Sequence, residues 1–171
     1  MKKLIFTIGI SGSGKSTWTK EFIKTNENYV CANRDRLRDV LIPNHIKSGW
    51  WKKDNLTDLE NTVTQLQQAI VLDSNFNVIV ENTNVNLKIL KRNINLYMEL
   101  GLDVSFKLFD CDLKLAKQRV YLRDYFKSEN FSDEEHLDFS GEHEVQYIDN
   151  HYIQYLETVD YLKQNHLNKI M

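Results

Sequence analysis

The chain has 171 residues, 42% of them hydrophobic and 27% charged, with a single proline. That suits one domain with a sizeable core and excludes a disordered, collagen-like or low-complexity chain. A net charge of −2 excludes bulk attraction to a polyanion as the way this protein would meet nucleic acid, while leaving room for a local basic groove. Cys31 and Cys111 stand far apart and outside any C-x-x-C pair, which argues against a disulfide framework or zinc site and for a reducing compartment.

Leu4 to Ile8 is a short, almost continuously apolar run, suited to a strand covered on both faces. It ends at Gly9, too early for a secretory signal or a membrane span, so a cytoplasmic protein without a membrane partner is expected. A helix is predicted over Ser16 to Lys24, a second strand over Tyr29 to Ala32, and a long helix over Leu56 to Asp73 with Leu59, Val63, Leu66 and Ile70 on one stripe. A third strand follows at Asn77 to Val80, then a helix from Leu87 to Leu100 closed by Gly101. A fourth strand is predicted over Val104 to Phe109, a helix rich in Lys and Arg from Leu113 to Phe126, a loop from Ser128 to Glu144, and a last helical segment over about 143–166. Alternating strands and helices predict an α/β fold with a parallel sheet flanked by helices, as one domain over 1–171.

Between the first strand and first helix lies Gly9-Ile10-Ser11-Gly12-Ser13-Gly14-Lys15-Ser16, a G-x-x-x-x-G-K-S phosphate loop. The glycines let the backbone wrap around phosphate oxygens with its N–H groups turned inward. Lys15 can reach the β- and γ-phosphates, Ser16 offers a hydroxyl to Mg²⁺, and the helix that begins here, with Thr17 in its first turn, points its positive end at the same anions. The strand before and the helix after are the context that confirms the motif, so a nucleotide such as ATP, with Mg²⁺, is the expected cofactor set. The loop alone does not separate a kinase from a GTPase or a motor ATPase.

Asn33-Arg34-Asp35-Arg36-Leu37-Arg38 lies at the carboxyl end of the second strand, where a parallel sheet presents ligands. A kinase acting on a hydroxyl needs a carboxylate to orient that group and accept its proton, and Asp35 is the candidate. Arg38 would share its face on a helix and could grip an anionic part of the acceptor. Alternatively, Asp35 is a helix N-cap and the arginines a solvated first turn.

Lys3 to Phe22 resembles the start of the kinase domain of the phage polynucleotide kinase/phosphatase family. Asn33-Arg34-Asp35 with Arg38 resembles that family's acceptor-binding segment, and Glu81-Asn82-Thr83-Asn84 its D-x-T-N segment. Lys107 to Asp110 and Arg119-x-x-x-Arg123 resemble its last strand and lid helix, the likeness covering roughly residues 1–126. The resemblance implies a P-loop kinase fold and transfer of the ATP γ-phosphate to the 5′-hydroxyl of DNA or RNA. It casts Asp35 as general base, Arg38 as holder of the acceptor phosphate, Lys15 as stabiliser of the migrating phosphoryl group, and Arg119 and Arg123, on a lid helix at about 113–127, as clasps on ATP. Gly9, Ser11, Gly12, Ser13, Gly14, Lys15, Ser16 and Thr17 would bind ATP, Thr83 would contact the acceptor, and Ser16 with Glu81 would serve the metal. Glu81 stands where many members have Asp, so it either acts through a water on Mg²⁺ or caps the strand end.

Two rivals stand beside this reading: a kinase of a small-molecule, nucleoside or modified-base hydroxyl on the same fold, and a non-catalytic nucleotide-binding module. Asp110-Cys111-Asp112 imitates the Asp-x-Asp of haloacid-dehalogenase phosphatases but lacks the Gly-Thr that should follow, so no 3′-phosphatase activity is expected. Gly49-Trp50-Trp51-Lys52-Lys53 reads as packed rings or as part of a strand-binding groove. The five histidines show no metal-ligand spacing, and Asp133, Glu134, Glu135 and Asp138 read as a solvated face.

Overall fold

The computed structural model describes residues 1–42, 56–127 and 146–171. The tryptophan pair, the loop after Ser128 with its acidic cluster, and His45, His136 and His143 lie outside the described residues.

Four parallel strands, β1 (Lys3–Ile8), β2 (Tyr29–Ala32), β3 (Asn77–Val80) and β4 (Asp103–Leu108), form one sheet in the order β2-β3-β1-β4. β1 is central, and its residues from Leu4 to Ile8 are all buried, which is why that stretch reads as an almost continuous apolar run. The helices are α1 (Lys15–Thr25), α2 (Arg34–Leu41), α3 (Leu56–Asp73), α4 (Leu87–Glu99), α5 (Leu113–Lys127) and α6 (Tyr147–Asn165). Alternation along β1 divides the core. Leu4, Phe6 and Ile8 pack with Val78, Val80, Leu90, Ile94, Ile148, Tyr155 and Leu162 on one face, while Ile5 and Ile79 meet Trp18, Phe22 and Ile23 of α1 on the other.

The predicted elements match the described ones closely, with informative differences. On α3, Leu66 is exposed, so the apolar stripe is rotated from the expected one: Val63 and Val71 are buried and Gln67 turns inward, its Nε2 donating to the Ala32 carbonyl at 2.9 Å. The end of β2 needs that donor more than another leucine. Along α6, Ile148, Tyr155 and Leu162 are buried while Leu156 is exposed, and Thr158 takes an inner place by donating to the Val85 carbonyl at 2.9 Å. The open edge of β4 is covered by a parallel bridge from Phe106 to Ile170. Among the described residues no helix is long and apolar enough to cross a membrane.

Candidate active site

β1 lies between β3 and β4 although β2 follows it in the chain, so the strand order reverses beside β1. Ligands of parallel α/β sheets bind at such a reversal, beyond the carboxyl ends of the strands. An open cleft of about 880 Å³ lies there, lined by the phosphate loop from Ser11 to Ser16, the first turn of α1, and side chains from the ends of β2, β3 and β4 and from α5.

The loop is held from behind. Gly9 N–H donates to the Thr83 carbonyl at 3.0 Å, and a Cβ on Gly9 would stand 2.9 Å from the Phe109 Cβ. Gly9, expected among the ATP-binding residues, is buried and does not itself line the cleft. Gly12 has φ +80°, and a Cβ there would come within 2.5 Å of the Ala116 carbonyl oxygen. Both the backbone conformation and the space therefore require glycine. Ser11, Gly12, Ser13, Gly14, Lys15, Ser16 and Thr17 all line the cleft.

Lys15 lies across the loop, its Nζ donating to the Gly9 carbonyl at 2.9 Å and the Ile10 carbonyl at 2.6 Å. The residue is only 9% exposed. Burial lowers its pKa to about 8, the Glu81 carboxylate pulling the other way and Arg123 reinforcing the drop. The ammonium is thus an incompletely compensated positive charge, placed where phosphate oxygens would sit.

Ser16 Oγ donates to Glu81 Oε1 at 2.6 Å. Glu81, 1% exposed at the end of β3, also accepts from Asn33 Nδ2 at 3.0 Å, and Arg36 Nη2 stands 4.0 Å from its Oε2. Cys31 lies against the same carboxylate at 3.5 Å; burial first, then Glu81, pushes its thiol up to about 12, so it is no nucleophile. A hydroxyl and a buried carboxylate 2.6 Å apart on the wall of a phosphate-loop cleft fit Mg²⁺, which takes hard oxygen ligands and one or two carboxylates beside substrate phosphates. The residues after Glu81 brace the strand ends. Asn84, at φ 52°, donates through its side-chain amide to the Thr7 carbonyl at 2.8 Å and the Val80 carbonyl at 3.1 Å. Thr83 lines the cleft while its carbonyl holds Gly9.

On the opposite wall, Asn33 caps α2 by accepting from the Arg36 N–H at 3.0 Å. The alternative reading of Asp35 as the cap therefore fails: it sits in the first turn with its side chain 75% exposed and lines the cleft. Arg38 Nη1 donates to Asp35 Oδ1 at 2.6 Å, while its Nε and Nη2 donate to Glu60 of α3 at 2.7 and 2.8 Å. Arg38, expected to hold the acceptor phosphate, stands behind Asp35 and does not itself line the cleft. Its guanidinium is drawn back by a carboxylate on a neighbouring helix, a partner invisible to local spacing.

α5 closes the cleft from the β4 side. Asp112 caps it by accepting from the Leu115 N–H at 2.9 Å, a structural use for the Asp-x-Asp pair. Ala116 presses on Gly12, and Arg119 Nη1 reaches the Gly12 carbonyl at 3.2 Å. Arg119 and Arg123, one helical turn apart, both line the cleft.

Residues 4–143 match the AAA domain family. The chain belongs to that family. A chain in the structure of the Pnkp1/Rnl/Hen1 RNA repair complex is 27% identical with a TM-score of 0.71, the match spanning 94% of this chain and 46% of that one. A chain of a further Pnkp1/Rnl/Hen1 complex structure is 32% identical with a TM-score of 0.57, over 69% of this chain and 39% of that one. A chain from the PezAT chromosomal toxin–antitoxin system of Streptococcus pneumoniae shares the fold, at 18% identity and a TM-score of 0.64 over 95% of this chain and 63% of that one. The present chain spans less than half the length of the two RNA repair chains. Family, fold and cleft together make this member a P-loop domain of the kinase-like type.

Proposed function

We propose that this domain is a polynucleotide 5′-hydroxyl kinase that transfers the γ-phosphate of ATP to a 5′-OH end of DNA or RNA. The observation that carries the reading is the meeting of two walls in one cleft: a phosphate loop with a buried lysine, and an exposed carboxylate held by an arginine. A purely nucleotide-binding module has no use for the second wall. The resemblance of the RNA repair complex chain, over nearly the whole of this one, supports a nucleic-acid acceptor.

In this reading the loop N–H groups and Lys15 grip the β- and γ-phosphates. Asp35 orients the acceptor hydroxyl and takes its proton as the oxygen attacks the γ-phosphorus. The bond from that phosphorus to the β,γ-bridging oxygen breaks, and ADP leaves with the electron pair. Arg119 and Arg123 act as the lid, meeting the charge that gathers on the phosphoryl oxygens in transfer. Ser16 and Glu81 would hold Mg²⁺, which would supply neutralisation of phosphate charge when bound. Arg38 keeps Asp35 facing the cleft, and Thr83 borders the acceptor. Residues 1–171 act as a single domain.

The test is transfer of labelled γ-phosphate from ATP to 5′-OH oligonucleotides of DNA and RNA, with 5′-phosphorylated oligonucleotides, nucleosides and hydroxymethylated bases in parallel. Label confined to 5′-OH ends supports the proposal. Equal or better labelling of nucleosides would transfer the assignment to a small-molecule kinase, and an enzyme inert to every hydroxyl would favour the binding module.

A further inference from the structure

Arg34 and Arg38 are four residues apart on α2, so their side chains leave the same face of the helix. Both meet one carboxylate, Glu60, near the start of α3. Arg34 Nη2 lies 2.6 Å from Oε2, and Arg38 closes a two-point pairing through Nε to Oε1 at 2.7 Å and Nη2 to Oε2 at 2.8 Å. The Arg38 side chain is 14% exposed and that of Glu60 26%, so the pair is largely shielded and its geometry is fixed, unlike a solvated surface pair. Hydrogen bonds from Arg38 hold the Glu60 carboxyl below the usual carboxylate range.

A strut between α2 and α3 would be complete with Arg34 alone. Arg38 does more, because a further hydrogen bond, from Nη1 to Asp35 Oδ1 at 2.6 Å, ends on a residue of the cleft. The chain Glu60–Arg38–Asp35 therefore runs from a helix outside the cleft wall to a carboxylate that lines the cleft. Without Glu60, Arg38 would keep its charge but lose the two-point clamp on its Nε and Nη2, and the Asp35 carboxylate would lose that anchor behind its partner.

We propose that Glu60 is a positioning residue for phosphoryl transfer, acting through Arg38 to fix the Asp35 carboxylate against the acceptor hydroxyl. The proposal rests on the kinase reading above. Positioning errors of an ångström far from the chemistry cost about 100-fold, which sets the scale of the effect.

The experiment is a double-mutant cycle on the full chain, with Glu60→Gln, Arg38→Ala and the pair, read by kcat and KM for a 5′-OH oligonucleotide, ATP affinity and melting temperature. Glu60→Gln keeps the shape and removes the charge. It should lower kcat roughly 10- to 100-fold while leaving ATP affinity within about twofold. In the Arg38→Ala background the same change should cost less than about threefold, because the two act in series. Glu60→Asp, which keeps the charge on a shorter arm, should recover part of the loss. Full additivity, or a Glu60→Gln enzyme equal to wild type, would overturn the proposal. So would a Glu60→Gln protein that loses ATP affinity and melting temperature in step with transfer, since that marks a merely structural residue. A wild type that labels no 5′-OH end overturns the functional reading itself and the proposal with it, an outcome separate from an active wild type indifferent to Glu60.

Discussion

The two walls of the cleft are built by different means. The donor wall is mostly backbone: a loop wrapped by glycines, braced by Thr83 behind and Ala116 beside it, with Lys15 buried within it. The acceptor wall is side chains: Asp35 stands out from a short helix and is set by charges from Arg38 and, behind that, Glu60. A wall of backbone fails through steric crowding and strain. A wall of ion pairs fails by coming loose. Substitutions on the first should therefore remove binding, and those on the second should leave binding intact and remove chemistry.

The largest expected effect on the donor side is that of Gly12→Ala. The new Cβ meets the Ala116 carbonyl at 2.5 Å and sits on a φ of +80°, a conformation costing about 1–2 kcal/mol before any clash. ATP affinity, measured by calorimetry, should fall about 100-fold or more; an unchanged affinity would show that the loop is not rigidly seated on α5. Ser16→Ala should come next. It removes the hydroxyl beside the metal position and leaves the buried Glu81 carboxylate short of a donor, so transfer should fall about 10- to 100-fold and need more Mg²⁺.

A subtler test uses Lys15, whose pKa of about 8 lies below its unfolded value because burial penalises the charge. Between pH 8 and 10.5 the unfolded chain holds the proton and the folded one does not, so this group's contribution to stability rises with pH there; below pH 8 its cost, about 3 kcal/mol, is fully present. Phosphate binding should restore the proton. ATP affinity should thus weaken by up to about tenfold per pH unit above 8, with proton uptake visible in buffers of different ionisation enthalpy. Affinity flat from pH 7 to 9.5 would mean that Lys15 is not the group compensating the phosphates. The smallest effect is that of Arg36→Ala. Its Nη2 lies 4.0 Å from Glu81 on a side chain 52% exposed, and its removal should change kcat less than about threefold. A loss as large as that from Glu60→Gln would show that the acceptor wall is not organised through Arg38.

The same contrast explains what could be read in advance. The donor wall is a run of consecutive residues whose glycines, lysine and serine carry their geometry locally, so strand, loop and helix were all legible from Leu4 to Thr25. The sheet was legible for a similar reason: strands buried on both faces announce themselves as apolar runs. On the acceptor wall Asp35 was visible, but Glu60, 22 residues beyond Arg38, was one acidic residue among several on a helix and gave no sign that it would pair with Arg38. Gln67 was hidden likewise, since the need it fills, a donor for the Ala32 carbonyl, belongs to the end of another element. Local patterns record backbone demands well and long-range ion pairs poorly.

The most direct test of the two-wall account is Asp35→Asn, with transfer to a 5′-OH oligonucleotide and ATP affinity measured on the same preparation. The change keeps the size of the side chain and its place beside Arg38 but removes the proton acceptor. The account predicts transfer reduced about 10²- to 10⁴-fold with ATP affinity within about twofold of wild type. Transfer at the wild-type rate, or transfer and ATP affinity lost together, would contradict it.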